Sequence, residues 1–192
     1  MSLLKVFRSA SFRKSELNFK IRFVLGREEE LMSIKVGDKI PSVILSHMDT
    51  GEPKKISTDE LLKGKKVVLV GVPGAFTPTC SKGHLPSFVQ QADEIKAKGV
   101  DIIACISVND VFVMNAWGKD QNVDDKVLML ADGDGEFTKA IGQECDLDRI
   151  GLGLRSQRYA MIIEDGVVKS LEVDEPAEVA KVSKADKVLE KL

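Results

Sequence analysis

One stretch limits the choice of fold more than any other: Lys66 to Pro86, KVVLVGVPGAFTPTCSKGHLP. It opens on a valine-rich run from Val67 to Val72, bounded by lysines on one side and Pro73-Gly74 on the other. A short apolar run between such breakers reads as a strand buried on both faces, at the centre of a sheet. Thr77 then fits a helix N-cap, and Pro78 fits the first helical position, where its missing N–H costs nothing. Cys80 is thereby placed in the first turn of a helix, just past the C-terminal end of a central strand.

That placement changes the chemistry of sulfur. Unpaired N–H groups and the positive end of the helix dipole favour an anion there. A thiol at such a site can fall from about 8.5 to between about 3.5 and 7.5, and the thiolate is both the nucleophile and the oxidisable form. The competing reading of any free cysteine is a small apolar core residue. Pro73, Thr77 and Pro78, gathered around a single thiol at a strand-to-helix turn, favour the chemical reading.

PGAFTPTCS, Pro73 to Ser81, resembles the Pro-x-x-x-Thr/Ser-x-x-Cys motif of the peroxiredoxins. The longer GVPGAFTPTCSKGHLPSF and the later ISVND, Ile106 to Asp110, resemble the type II subgroup, the atypical two-cysteine or "five" peroxiredoxins. The resemblance runs from about Lys35 to the C-terminus. It implies an α/β thioredoxin-like fold with a mixed central sheet flanked by helices, in a domain spanning residues 32–192.

Length and composition agree with one globular domain: 192 residues, 43% apolar and 30% charged. No apolar run approaches the roughly 20 residues needed to cross a bilayer, and a net charge of −2 leaves no footprint for nucleic acid. Charge is uneven, however. Residues 1–27 hold seven Lys or Arg against Glu16 alone, with serines and with Leu3, Leu4, Val6 and Phe7 able to line one helical face. Residues 1–31 therefore read as a basic leader, a mitochondrial transit peptide or else a disordered extension. Met32, just ahead of the domain, offers a second start and a cytosolic form. The closing Glu-Lys-Leu only loosely matches a peroxisomal Ser-Lys-Leu address. Three cysteines (80, 105 and 145) with no CxxC do not make a disulfide scaffold. With two histidines, His47 and His84, a zinc site has little support, and no metal or other cofactor is expected.

Along the chain, the pattern predicts a strand at Val43–Met48, a turn at Asp49–Pro53 and a short helix at Ser57–Leu62, with Ser57 and Glu60 in capping-box spacing. The Cys80 helix is expected to run to Lys98, kinked at Pro86 and stopped by Gly99. A strand at Val100–Val108 and a helix from Asn109-Asp110 to Lys119 follow, the helix packing through Val111, Met114 and Trp117. Then come a strand at Lys126–Leu130, a turn at Asp132–Gly135 whose spacing is wrong for calcium, and a helix at Phe137–Gly142. Asp146–Ser156 reads as an irregular loop. Arg158–Ile163 and Val167–Val173 read as a hairpin, and Ala177–Leu189 as a closing helix.

A peroxide cleaved by a thiolate needs donors for the charge that moves to its leaving oxygen. Thr77 and the N–H groups of the first helical turn can supply some of them. The resemblance places the family's arginine at Arg158, with Arg155 the second choice, and has Pro73 shielding the thiolate from water. His84, four residues after Cys80, shares its helical face; pocket lining fits it better than a general base. Lys82 is most simply solvated. Cys105 matches the resolving position of plant type II relatives, while the region that carries the resolving cysteine in animal relatives, Glu178–Ala185 here, contains none. Packing in the IIACISV strand is the alternative for Cys105, Cys145 is unassigned, and a single-cysteine mechanism is equally allowed.

The function implied is a thiol peroxidase serving cell redox homeostasis. It would reduce hydrogen peroxide, alkyl hydroperoxides and peroxynitrite through a Cys80 sulfenic acid, recycled by thioredoxin or by glutathione with glutaredoxin. The resemblance also implies a homodimer. The competing reading is a redox-regulated binding protein that oxidises once and signals.

Overall fold

The computed structural model describes residues 33–192. The expectations for the basic leader and for Met32 fall outside them. Within residues 34–192, which form one compact unit, nine strands and six α-helices follow one another. The strands are β1 (Ile44–Asp49), β2 (Glu52–Ser57), β3 (Lys66–Gly71), β4 (Ile102–Ser107), β5 (Leu128–Ala131), β6 (Glu144–Asp146), β7 (Leu154–Ser156), β8 (Arg158–Glu164) and β9 (Val167–Asp174). The helices are α1 (Thr58–Leu62), α2 (Leu85–Gln90), α3 (Ala92–Ala97), α4 (Val111–Asp120), α5 (Glu136–Ala140) and α6 (Ala185–Leu189).

Seven strands form one mixed sheet, ordered β2-β1-β5-β4-β3-β8-β9. The β3–β4 and β4–β5 pairs are parallel, and the β3–β8, β8–β9, β1–β5 and β1–β2 pairs are antiparallel. This is the thioredoxin-like α/β architecture that the resemblance implied, with the valine run in a central strand. β3 is central and its side chains alternate between two cores, as the strand period of two requires. Val68 and Val70 face one layer, with Cys80, Phe88, Ile95, Cys105, Met114 and Trp117. Val67 and Leu69 face the other, with Leu45, Leu61, Leu130, Phe137 and Tyr159.

Several elements differ from the sequence reading. The segment expected only as a turn at Asp49–Pro53 continues into the edge strand β2. Thr50 (φ 49°) and Gly51 (φ 89°) close the hairpin in the left-handed region, and Pro53 sits where an edge strand tolerates a missing donor. The loop expected at Asp146–Ser156 contains part of the small β6–β7 sheet and a 3₁₀ turn, Asp148–Ile150. The closing helix forms only over Ala185–Leu189. Ahead of it, the N–H groups of Lys181, Val182 and Ser183 bind the Asp174 carboxylate and are lost to any helical ladder.

The Cys80 helix also departs from a plain kink. Pro78 and Thr79 are helical, Cys80–His84 widens into a π-turn closed by Leu85 N–H to the Cys80 carbonyl, and α2 and α3 are separated by a hitch at Gln91. Pro86 has no N–H to give, and in a regular α-turn its ring would press on the carbonyl four residues back; a wider turn just ahead of it relieves that conflict. Ser57 Oγ accepts from Glu60 N–H at 3.1 Å, as their spacing predicted, and Asp110, where a helix was expected to start, caps α4 by accepting from Phe112 and Val113 N–H at 2.9 and 3.0 Å.

Gly71, the last residue of β3, lies opposite Tyr159 of β8. A Cβ built on Gly71 would lie 2.2 Å from the Tyr159 ring, so the buried tyrosine fills the space a side chain would need. Gly71→Ala should therefore lower stability by about 1–3 kcal/mol, the usual cost of overpacking. Chemical denaturation compared with the parent chain measures it.

Candidate functional site

Cys80 is fully buried, at the head of the π-turn and beneath the loop that leaves β3. Pro73 and Gly74 in that loop are buried as well, whereas Phe76 is 53% exposed and adopts φ 62°. A phenylalanine in the left-handed region stores strain that its surroundings must impose. Two bonds hold the loop. Ala75 N–H donates to Asn109 Oδ1 at 3.0 Å, which ties it to the segment leading into α4, and the Thr77 hydroxyl donates to the Gly74 carbonyl at 2.8 Å. Thr77 stands just before the first helical residue, where the sequence placed an N-cap, and its one proton goes backwards, to Gly74. Ser81 N–H to the Thr77 carbonyl (3.0 Å) sets Thr77 one helical turn before Cys80. The proton is spent, but two lone pairs on Oγ remain to accept.

Of the two arginines weighed from sequence, Arg158 is the one that lies beside Cys80. It opens β8, is 1% exposed, and donates from Nη2 to Cys80 Sγ at 3.3 Å. A buried guanidinium needs acceptors to replace the water it has lost, and the sulfur is one of them. Arg155 instead donates from Nε to the Leu152 carbonyl (2.8 Å) and from Nη1 to the Val108 carbonyl (3.1 Å). It braces the loop after β4 and lies beside Gly74.

The remaining donors of Arg158 show what the sequence did not. Nε donates to the Ala177 carbonyl at 2.9 Å, and Nη1 lies 2.9 Å from His84 Nδ1. A guanidinium has no acceptor, so Nδ1 must be the bare, accepting nitrogen. The imidazole proton is then on Nε2, which lies 2.9 Å from both the carbonyl and the hydroxyl of Ser183. The Ser183 hydroxyl in turn donates to Asp174 Oδ2. His84 is fully buried, and burial, followed by the charge of Arg158, lowers it from 6.5 to about 4. Burial alone would raise Asp174, but the Ser183 hydroxyl and the N–H groups of Val182, Lys181 and Ser183 outweigh it and hold the carboxyl below its ordinary value.

Neighbouring contacts fasten the same turn. Thr79 Oγ1 donates to the Glu178 carbonyl at 2.7 Å, and Trp117 Nε1 donates to Ser81 Oγ at 3.0 Å. The Val111, Met114 and Trp117 stripe is packing as expected, yet its indole N–H also reaches the residue after Cys80. Lys82 is exposed.

Cys105 is fully buried on β4, in the same layer as Cys80. Burial first, then the nearby Cys80, pushes its thiol far up, so in the folded chain it is not a ready nucleophile. Cys145 is half-buried on β6 opposite Arg155, and burial, then Glu178 and Asp146, raises its thiol. All three cysteines are free. Among the described residues, no group of three or more His, Cys, Asp or Glu is placed to hold a metal, and no helix is long and apolar enough to cross a membrane.

His84 carries a pH signature. Because its folded value lies below its ordinary one, its neutral burial contributes stability above pH 6.5, and that contribution is lost as pH falls towards about 4. Acid titration of unfolding free energy should lose about 3 kcal/mol across that window, and His84→Asn should remove most of the loss.

A redoxin family model matches residues 35–189. The chain is 55% identical over 147 residues to chloroplastic Peroxiredoxin-2E of Arabidopsis thaliana; the match covers 74% of this chain and 63% of that one. It is 48% identical over 160 residues to Peroxiredoxin-2B of the same plant, covering 83% of this chain and 98% of the relative. The chain thus spans less than two thirds of the chloroplastic Arabidopsis relative and nearly all of the shorter one. Among solved structures it is similar to reduced Prx3 of Vibrio vulnificus in complex with hydrogen peroxide. That likeness has a TM-score of 0.77 and 54% identity, and covers 82% of this chain and 94% of that one.

Proposed function

The chain belongs to the redoxin family and, within it, to the type II peroxiredoxins, and on that premise we propose that it is a thiol peroxidase whose nucleophile is Cys80. The observation that carries this reading is the Arg158 Nη2 to Cys80 Sγ contact of 3.3 Å inside a buried site. The sulfur, as thiolate, attacks the hydroxyl oxygen of a peroxide. The S–O bond forms as the O–O bond breaks, and the distal oxygen leaves with the electron pair as hydroxide or alkoxide. That oxygen takes a proton from water, giving water or an alcohol, and Cys80 is left as a sulfenic acid.

Each neighbour has a part. Arg158 offers charge first to the thiolate and then to the leaving oxygen, where charge develops in the transition state. Thr77 Oγ, its own proton committed to Gly74, accepts from the peroxide O–H and so orients it. Pro73, buried in the loop above, keeps water from the sulfur. The Vibrio relative's structure with hydrogen peroxide supports that oxidant as substrate; alkyl hydroperoxides and peroxynitrite are proposed as further ones because they carry the same O–O bond.

The sulfenic acid must then be reduced. Cys105 shares the layer of Cys80 but is buried and protonated, so a resolving role requires the π-turn to open first. Otherwise thioredoxin, or glutathione with glutaredoxin, reduces Cys80 directly. A homodimer fits the exposed Phe76 and Phe112, which project from the two segments joined by the Ala75–Asn109 bond. The basic leader supports an organellar address. Its composition alone points to the mitochondrion, whereas the Arabidopsis relative named chloroplastic favours a plastid.

Cys80→Ser should abolish turnover of hydrogen peroxide with a thiol reductant; retained turnover would refute the assignment. Arg158→Leu should slow the reaction of the reduced protein with peroxide by about 10²-fold or more, the scale of losing one charge-stabilising donor, in stopped-flow measurements. Cys105→Ser should leave that first step unchanged. A sensor that oxidises once would instead stop after one equivalent of peroxide even with thioredoxin or glutaredoxin present.

A further inference from the structure

We propose that Asp174, Ser183 and His84 form a positioning relay that sets the Arg158 guanidinium against the Cys80 sulfur, making the irregular strap 175–184 part of the catalytic apparatus. The inference rests on the peroxidase reading and goes beyond it. None of the three touches the sulfur; each acts through the arginine.

Hydrogen-bond direction fixes how the relay works. Arg158 can only donate, so His84 Nδ1 accepts and Nε2 carries the proton. That proton points at the Ser183 carbonyl and hydroxyl, so the hydroxyl accepts from the ring and spends its own proton on Asp174 Oδ2. Every donor is used in one sense, away from the guanidinium and towards the carboxylate. The opposite tautomer would aim an N–H at Arg158 and is excluded. Two anions, the Cys80 thiolate and the Asp174 carboxylate, thus stand at the ends of a chain with the cation between them. Connected bonds of this kind polarise one another in a water-free interior.

The carboxylate also anchors the strap. Asp174 ends β9 and accepts from the N–H groups of Lys181, Val182 and Ser183, at 2.9, 2.9 and 3.3 Å. The strap so fixed returns three contacts to the site: the Ala177 carbonyl to Arg158 Nε, the Glu178 carbonyl to Thr79 Oγ1, and Ser183 to His84. Arg158 is consequently held at Nε from one side of the strap and at Nη1 through His84 from the other, leaving Nη2 to face the sulfur. The charged groups acting on His84 are Arg158 from β8, Asp174 from β9 and Lys184 from the end of the strap, with Cys80 beyond the arginine. Phe88 of α2 closes the remaining edge with an apolar ring.

The relay is tested on the reduced protein by the pH profile of Cys80 alkylation and by the rate of its reaction with hydrogen peroxide. Cys105 and Cys145 are replaced by serine in all samples. His84→Leu removes the acceptor for Nη1 and fills the space, whereas His84→Asn restores an acceptor at nearly the same position. The expected result is an alkylation profile displaced to higher pH and a peroxide reaction slowed about tenfold in His84→Leu, since a misdirected positioning group costs between ten- and a hundredfold. His84→Asn should recover most of both. Asp174→Asn presents N–H₂ to donors that now meet a carboxylate, and should displace the profile in the same direction while leaving the fold intact by circular dichroism.

Profiles of His84→Leu and Asp174→Asn that overlay the parent's would overturn the relay, even with Cys80→Ser still inactive. Loss of rate with unshifted profiles, unrescued by asparagine, would also overturn it and reduce these residues to scaffolding. Should His84→Leu fail to fold, Asp174→Asn alone decides between the two results. A parent protein whose Cys80 gives the profile of an ordinary cysteine would instead defeat the peroxidase reading beneath the proposal.

Discussion

A cation buried to 1% exposure is costly, and the site is organised by how Arg158 is satisfied. A guanidinium cannot shed its proton to escape the penalty, so the surroundings must provide acceptors and an opposing charge. Here they are a backbone carbonyl, an uncharged imidazole nitrogen and a sulfur. Of the three, only the sulfur can become an anion at this position. A thiolate at Cys80 and the buried arginine would therefore stabilise each other, and neither would be tolerable there as an isolated ion.

The fold delivers those partners from points far apart in sequence. Cys80 and His84 come from one π-turn, whose extra width places both side chains on the face that meets β8. Arg158 begins β8, the antiparallel neighbour of β3, so the strand that ends just before the Cys80 loop lies next to the strand that starts with the arginine. β9 then carries the chain to Asp174, and the strap folds back over the turn. Gly71 lets Tyr159, the residue after Arg158, pack its ring directly on β3. Packing at that glycine and chemistry at that arginine thus share one register.

Cys80, its strand-to-helix setting and the late hairpin were legible in the sequence, because each is a local pattern: Pro-x-x-x-Thr-x-x-Cys, a valine run, and two alternating runs across Asp165-Gly166. Arg158 was legible through resemblance, with Arg155 the second choice beside it; only the bonds to Val108 and Leu152 show why Arg155 turns elsewhere. His84 was weighed as a base or as lining, whereas its neutral, accepting state follows from long-range contacts. Nothing local marks Ser183 or Asp174. The closing helix was overdrawn for the same reason: a carboxylate seven to nine residues back captures the N–H groups that helical periodicity would have used. Edge strand β2 was missed because its first residues, Glu52 and Pro53, belong to the turn cluster Asp49–Pro53 and the two lysines after them give no apolar alternation, although an edge needs none and tolerates a proline.

The central claim is that one sulfur, under one guanidinium, is where an oxidant reacts. Peptide mass spectrometry of the reduced protein after a single equivalent of hydrogen peroxide tests it most directly. The account predicts that the oxidised product involves Cys80, as a trapped sulfenic acid or as a disulfide that includes it. Oxidation confined to Cys145, or Cys80 recovered unmodified, would contradict it.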